Sequence, residues 1–323
     1  MKLAANPTYW DTGRGPRLQE VVFRNDLSPA EALAAVCDGE GEVDIVTEVP
    51  PAAATRVQAS THAKLVTIDA ARSVAGVINR YASGLPLGDK QARLALNYAI
   101  DRDKLVKEAM HGHAAPLAGL APPCTTGYLL RLSPYPHSPR QALELWQAAG
   151  GAARPIRLAT TTHYAAVAER SAADLREALE AEVEVTVLDE AAERVARGGL
   201  ATRAEPAWDV FILMEGPQSI DAPPMELHRA FAGESGEYRA GPVDPAFDAL
   251  YADFVGHTAP PAQAKAARTL DQYVYDEALA LFLCAPHALY AVNRHVTFTP
   301  YRTTFELAEC EVDKQHWSRR DGG

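Results

Sequence analysis

Residues 155–188 write a strand, an amphipathic helix and a second strand in succession, and that order restricts the fold more than any other stretch. PIRLAT at 155–160 and VEVTVL at 183–188 are the strands. Between them, residues 167–182 place Ala168, Ala172, Leu175 and Leu179 on one helical face. Two strands joined through a helix lie parallel, because the crossover has to return to the same end of the sheet. WDVFILM at 208–214 is almost wholly apolar, as expected of a central strand covered on both faces. The expected class is α/β.

Residues 89–110, DKQARLALNYAIDRDKLVKEAM, read as two short helices in tandem. Leu94, Leu96, Tyr98 and Ile100 form the apolar body of the first, with charges at Lys90, Arg93, Asp101, Arg102 and Asp103. Asp101 or Asp103 caps the second, since a short carboxylate accepts the free N–H groups of a first turn. Leu105, Val106, Ala109 and Met110 make its buried stripe, and Gly112 stops it. Asp101, Arg102 and Asp103 are therefore read as capping residues rather than as reactive groups.

The chain has 323 residues, 47% hydrophobic and 23% charged, enough for two lobes of ordinary globular composition. Its net charge of −11 argues against nucleic acid, which requires a basic face. Four separated cysteines without a CxxC pair point to reduced, part-buried thiols and not to a structural zinc site. No apolar run reaches membrane-spanning length. MKLAANPTYW has no apolar core of a secretory leader, so the chain as written is expected to be cytoplasmic; removal of a leader would make it periplasmic or extracellular. GxSxG, HExxH, P-loop and GxGxxG motifs are absent, and no catalytic residue, metal ligand or cofactor is assigned. Cys284 and His287 lie three apart on a strand and so point to opposite faces, a poor thiol–base pair. His111 and His113 form an HxH on a surface turn and are read as solvated.

ALNYAIDRDKLV, followed by Gly112, Ala115, Pro116, Pro122–Pro123 and Gly127–Tyr128, resembles the signature of family 5 extracytoplasmic solute-binding proteins, the peptide, dipeptide and nickel-complex receptors of ABC importers. NPTYW at 6–10, GEVDI at 41–45 and VDPAFDAL at 243–250 extend the resemblance, which runs from residue 6 to about residue 302. It implies a periplasmic-binding-protein type II architecture: a truncated lobe I, residues 1–66 and 286–323, plus a complete lobe II, residues 67–285. Lobe I is expected to be truncated because in the family NPxYW follows a large N-terminal portion. The implied function is non-catalytic binding of a small solute, a peptide-like molecule or metal complex, enclosed when two lobes close. The alternative is a repurposed cytoplasmic lobe acting as an accessory binder, sensor or enzyme of a biosynthetic pathway. Implied partners are the ligand and an ABC permease.

In the peptide-binding branch, an aspartate in the loop after the central strand holds the ligand's α-amine. Here that loop reads MEGPQSIDAPP at 214–224, and Gln218 falls at the aspartate's place. An uncharged amide cannot compensate a buried ammonium, so tight binding of ordinary dipeptides or tripeptides through a free amine is not expected. Glu215 or Asp221 either substitutes or belongs to a loop that caps the next helix. Tyr128, in the loop that opens toward the family's cleft, and His287, on the returning strand, complete the ligand-binding candidates. Tyr135, Trp146 and Tyr164 either line an aromatic pocket with Tyr128 or pack in the core. A truncated lobe I would leave Trp10, Val21, Phe23, Val43, Ile45, Leu289, Val292, Phe298 and Tyr301 short of cover, and a homodimer or a separate partner is expected through that surface.

Overall fold

The computed structural model describes residues 1–11, 13–199, 207–215, 240–301 and 305–320. An antiparallel ribbon comes first, β1 (Lys2–Ala4) with β2 (Glu20–Val22). Ser28 opens α1 (Pro29–Asp38) with a capping box: its hydroxyl accepts the Glu31 N–H, and the Glu31 carboxylate accepts the Ser28 N–H. β3 (Ile45–Val46), α2 (Ala54–Ala59) and β4 (Ala63–Asp69) follow. The middle of the chain forms β5 (Ser73–Ile78), the tandem helices α3 (Lys90–Ala99) and α4 (Arg102–Ala109), β6 (Ala114–Pro116) and α5 (Pro139–Ala148). It continues through β7 (Ile156–Thr161), α6 (Ala165–Leu179), β8 (Val183–Leu188), α7 (Glu190–Gly199) and β9 (Val210–Glu215). The last described elements are α8 (Pro245–Gly256), α9 (Pro260–Asp276), β10 (Ala280–Asn293), the ribbon β11 (Val296–Pro300) with β12 (Phe305–Val312), and α10 (Trp317–Arg320). Two units result, Ala70–Pro286 and Met1–Asp69 with His287–Gly323; the first half of β10 belongs to one and the second half to the other.

In the larger unit, β7 pairs in parallel with β8 from Ile156 opposite Val183 to Thr161 opposite Leu188, and in parallel with β9 on its other side. β5 runs antiparallel to β9, and the first half of β10 antiparallel to β5. Alternation along these strands divides the core. Val74, Ile78, Leu158, Val210 and Ile212 face a cluster completed by α3, α4, α5 and α6; Ala75, Val77, Ala159, Phe211 and Leu213 face one completed by α8 and α9. Gly76 sits against neighbours from β9 and β10: a Cβ there would lie 2.6 Å from Val210 Cγ1 and 3.1 Å from Leu281 Cβ. Asp101 caps α4 by accepting the Lys104 N–H, and Asp89 caps α3 in the same way. The side chain of Ser138 makes no cap bond to α5; Pro139 in its first turn sets the start instead.

In the smaller unit, the second half of β10 lies between β3 and β4, with Ala291 opposite Val46 on one side and Leu65 on the other. Leu289 and Ala291 pack on α1 and α2, while Tyr290 and Val292 pack on Val296, Phe298 and Cys310. The expectation of uncovered apolar residues therefore needs correction within this unit. Leu289, Val292 and Phe298 are buried, Val21, Phe23, Val43 and Ile45 are half-buried, and Trp10 and Tyr301 are exposed. The signal missed was that a strand with both faces apolar builds two small cores at once. Among the described residues, no helix is long and apolar enough to cross a membrane, and all four cysteines are free.

Candidate functional site

Ligands of open α/β sheets settle beyond the carboxyl ends of parallel strands, where loops diverge and helices begin. In the larger unit those ends are Thr161 on β7 and Glu215 on β9. The Thr160 hydroxyl donates to the Ile212 carbonyl at 3.0 Å and fastens the two strands just below the rim. The chain then turns through Thr162–Tyr164 into α6, whose N-cap, Tyr164, makes no side-chain cap bond. Instead the Tyr164 hydroxyl donates to Met214 Sδ at 2.9 Å. Both side chains are half-buried and rest on the same apolar core.

A second segment is tied to the same end. Ser73, opposite Glu215 in the β5–β9 register, donates through its hydroxyl to the Leu120 carbonyl at 2.9 Å. From the other side the buried Asp271 carboxylate accepts the Leu120 N–H at 2.9 Å and the Ala121 N–H at 3.4 Å. The turn that follows brings the Tyr128 N–H onto the Thr125 carbonyl at 3.3 Å, with Tyr128 half-buried. The strand end bearing Glu215 and the loop bearing Tyr128 are thus joined through Ser73. Gln218 and Asp221 lie outside the described residues.

His287 belongs to the smaller unit, opposite Asp69 in the β4–β10 register, with Nε2 3.7 Å from Asp69 Oδ1. Cys284 is fully buried, and burial pushes its thiol up to about 12, which removes any thiolate at neutral pH. Tyr135 and Trp146 are core residues, so of the four aromatic candidates Tyr128 and Tyr164 remain accessible. His111 is exposed, in a left-handed turn with φ 49°, and no group of three or more metal-binding side chains occurs among the described residues.

The tandem helices hold the largest departure from expectation. Arg93, counted among the helix charges, and Arg102, read as a capping residue, are 5% and 4% exposed. β6 covers one edge of β10 only from Cys284 onward, and β5 occupies the other edge. Along the stretch before Cys284, side chains from the tandem helices take the place of a strand. Arg93 donates to the Glu277 and Ala278 carbonyls, and Asn97 donates to the Ala280 carbonyl while its Oδ1 accepts the Phe282 N–H. Arg102 donates to the Phe282 carbonyl, and also to the Asn97, Ile100 and Tyr135 carbonyls and to Asn97 Oδ1. The spacing of Arg93 and Asn97, one helical turn apart, was the available signal. Burial lowers Arg102 to about 10, which leaves it fully charged at neutral pH. Below β9, Asp209 accepts from both Arg154 and Arg157. Burial alone would raise its carboxyl, but these bonds outweigh that and hold it below the usual range.

The family model described as bacterial extracellular solute-binding proteins, family 5 Middle, matches residues 1–238. Among curated proteins, the glutathione-binding protein GsiB of Escherichia coli (strain K12) is 31% identical over 146 residues, 44% of this chain and 27% of that protein. The match thus spans about a quarter of the relative's length. Among solved structures, the ABC transporter substrate binding protein CtaP from Listeria monocytogenes superposes with a TM-score of 0.81 at 16% identity, covering 96% of this chain and 63% of that one. NikA from Brucella suis in complex with Fe(III)-EDTA gives a TM-score of 0.79 at 18% identity, with 97% and 65% covered. At these identities the superpositions establish the fold, the type II periplasmic-binding-protein architecture.

Proposed function

The chain belongs to family 5 of the bacterial extracellular solute-binding proteins, and from that premise we propose that it is a non-catalytic receptor for a small solute, a peptide-like molecule or a metal complex, which it delivers to an ABC permease outside the cytoplasm. The match over residues 1–238 carries this reading. GsiB binds glutathione, and NikA was obtained with a metal chelate, the two ligand classes the reading allows. We read the unit Ala70–Pro286 as lobe II and the other unit as lobe I. On lobe II the ligand site lies at the carboxyl ends of β7 and β9, with Tyr164, Met214 and Tyr128 as contacts, Glu215 at the rim, and Gln218 and Asp221 contributed by the loop that follows. Tyr164, the N-cap of α6, makes no side-chain cap bond, and the Ala165 N–H already donates to the Thr162 carbonyl, so the ligand contacts are assigned to side chains. His287 remains a separate ligand-binding candidate within the other unit.

Native mass spectrometry of the protein purified from its own host identifies what it carries. Calorimetry with glutathione, N-acetylated peptides, free peptides and the nickel–histidine complex then measures affinity. We expect at least one of these to bind at micromolar concentration or tighter, without dependence on a free amino terminus. Binding by none of them refutes the receptor reading; binding that requires a free amine refutes the placement of Gln218. The association expected through lobe I would use the exposed Leu3, Trp10 and Val22 beside the half-buried Phe23. Sedimentation of wild type and a Phe23→Glu variant tests it, and a wild type that stays monomeric at high concentration overturns it.

A further inference from the structure

The pair Tyr164–Met214 at the ends of β7 and β9 has a chemistry that selects among ligands. Neither side chain carries charge. The one strong donor between them, the Tyr164 hydroxyl, is already directed at the thioether. Both are anchored from beneath by the apolar core, in contact with the cluster that includes Val167, Leu158 and Ile212, and both remain half-exposed above it. His163 extends the surface, its ring centroid 6.3 Å from that of Tyr164 with an interplanar angle of 42°. The result is a small floor of ring and sulfur whose one hydroxyl proton is already committed, with the exposed His163 imidazole at its edge.

We infer that Tyr164 and Met214 are specificity-determining residues of the receptor site, forming a floor for an apolar, preferentially aromatic, group of the ligand. The inference rests on the receptor reading above. A polar or charged ligand group placed over the ring face and the sulfur would be desolvated with no donor there to meet it, whereas a ring gains sulfur–aromatic and edge-to-face contacts. The thioether adds tolerance, because an unbranched polarizable chain adapts to rings of different outline. The tyrosine hydroxyl limits that freedom by holding the sulfur in one place. Such a floor therefore discriminates by group chemistry more than by exact shape.

The test is calorimetry of the full chain with N-acetyl-Gly-X-Gly-amide peptides in which X is Phe, Leu, Ala or Asp. The Phe peptide is expected to bind about 5-fold or more tighter than the Ala peptide, with Asp weakest. Met214→Leu should keep that order, whereas Met214→Gln should shrink the Phe/Ala ratio to about 2-fold or less while an unchanged melting temperature shows the core intact. Tyr164→Phe keeps the ring and should keep most of the preference. Equal affinities across the four peptides, or a Phe preference that survives Met214→Gln, overturns this inference and leaves the receptor reading standing. Binding by no peptide, by glutathione or by the nickel–histidine complex overturns the receptor reading and this inference with it.

Discussion

Arg102→Met replaces the centre of the side-chain ladder on β10 with an apolar chain of similar length. The wild-type guanidinium donates to four backbone carbonyls and to Asn97 Oδ1 at 2.9 to 3.4 Å. The substitution leaves these acceptors in a site that water reaches poorly, since Arg102 itself is 4% exposed. Each buried acceptor left unmatched costs about 1–3 kcal/mol, but carbonyls retain a second lone pair and some relax toward other donors. Removing a buried charge also returns part of its desolvation cost. Together these place the loss at about 3–5 kcal/mol, at the upper end of what single substitutions do. Arg102→Lys keeps the charge but reaches one or two carbonyls, so it should lose about 2–3 kcal/mol. Asp103→Asn, next in sequence but exposed, should stay within about 0.5 kcal/mol of wild type. Urea unfolding followed by tryptophan fluorescence and circular dichroism measures all three. The loss should appear in the transition of the unit Ala70–Pro286, where every partner of Arg102 lies. A loss below about 1 kcal/mol for Arg102→Met, or equal effects of Arg102→Met and Asp103→Asn, refutes the strand-substitute role.

Other expectations follow from single contacts. Asp209 is held below the usual carboxylate range, so its stabilisation is complete above the ordinary aspartate pKa of about 3.9 and is lost as pH falls through the lower folded value. Melting temperatures between pH 7 and pH 2 should therefore fall steeply at the acid end for wild type and less steeply for an already weakened Asp209→Asn. Gly76→Ala should destabilise by about 1–3 kcal/mol, because the new methyl meets Val210 and Leu281, read by the same urea titration. Ser28→Ala removes half of the capping box of α1 and should lower stability by about 1 kcal/mol, in the other unit. Thiol titration should find four reactive cysteines in denaturant, but in the native protein only half-exposed Cys124 should react rapidly, since Cys37, Cys284 and Cys310 are buried. Rapid native labelling of Cys284 would contradict its burial and raised pKa.

The fold was legible where periodicity is local. The strand–helix–strand of 155–188 and the apolar run at 208–214 appear as a parallel pair beside a buried strand, because alternation and helical spacing are written within each segment. The cap at Asp101, one of the two carboxylates offered there, was legible for the same reason. Arg93 and Arg102 were not. Composition rules place arginine at the surface, and nothing near residue 102 says that an open backbone edge lies 180 positions downstream at Phe282. The candidate site was legible only in part. Tyr164 stood among the aromatic candidates, but its partner Met214 is 50 residues away and was read as interior strand. Glu215 and Tyr128 were chosen independently, and only the Ser73 tether relates their segments.

The string that marks the family is thus separable from the ligand. Asn97 and Arg102 direct their polar groups at backbone atoms of α3, β10 and the loop at Tyr135. Backbone atoms are the same whatever side chains surround them, so this arrangement makes no demand on what the protein carries. It demands only that β10 lie along the tandem helices and that β6 continue the edge from Cys284. A chain that keeps ALNYAIDRDKLV can therefore vary exposed side chains at the ends of β7 and β9 with the tandem-helix contacts to β10 intact. On the proposed reading, identity of the ligand is to be sought at Tyr164 and Met214, whose half-buried side chains meet each other rather than the backbone.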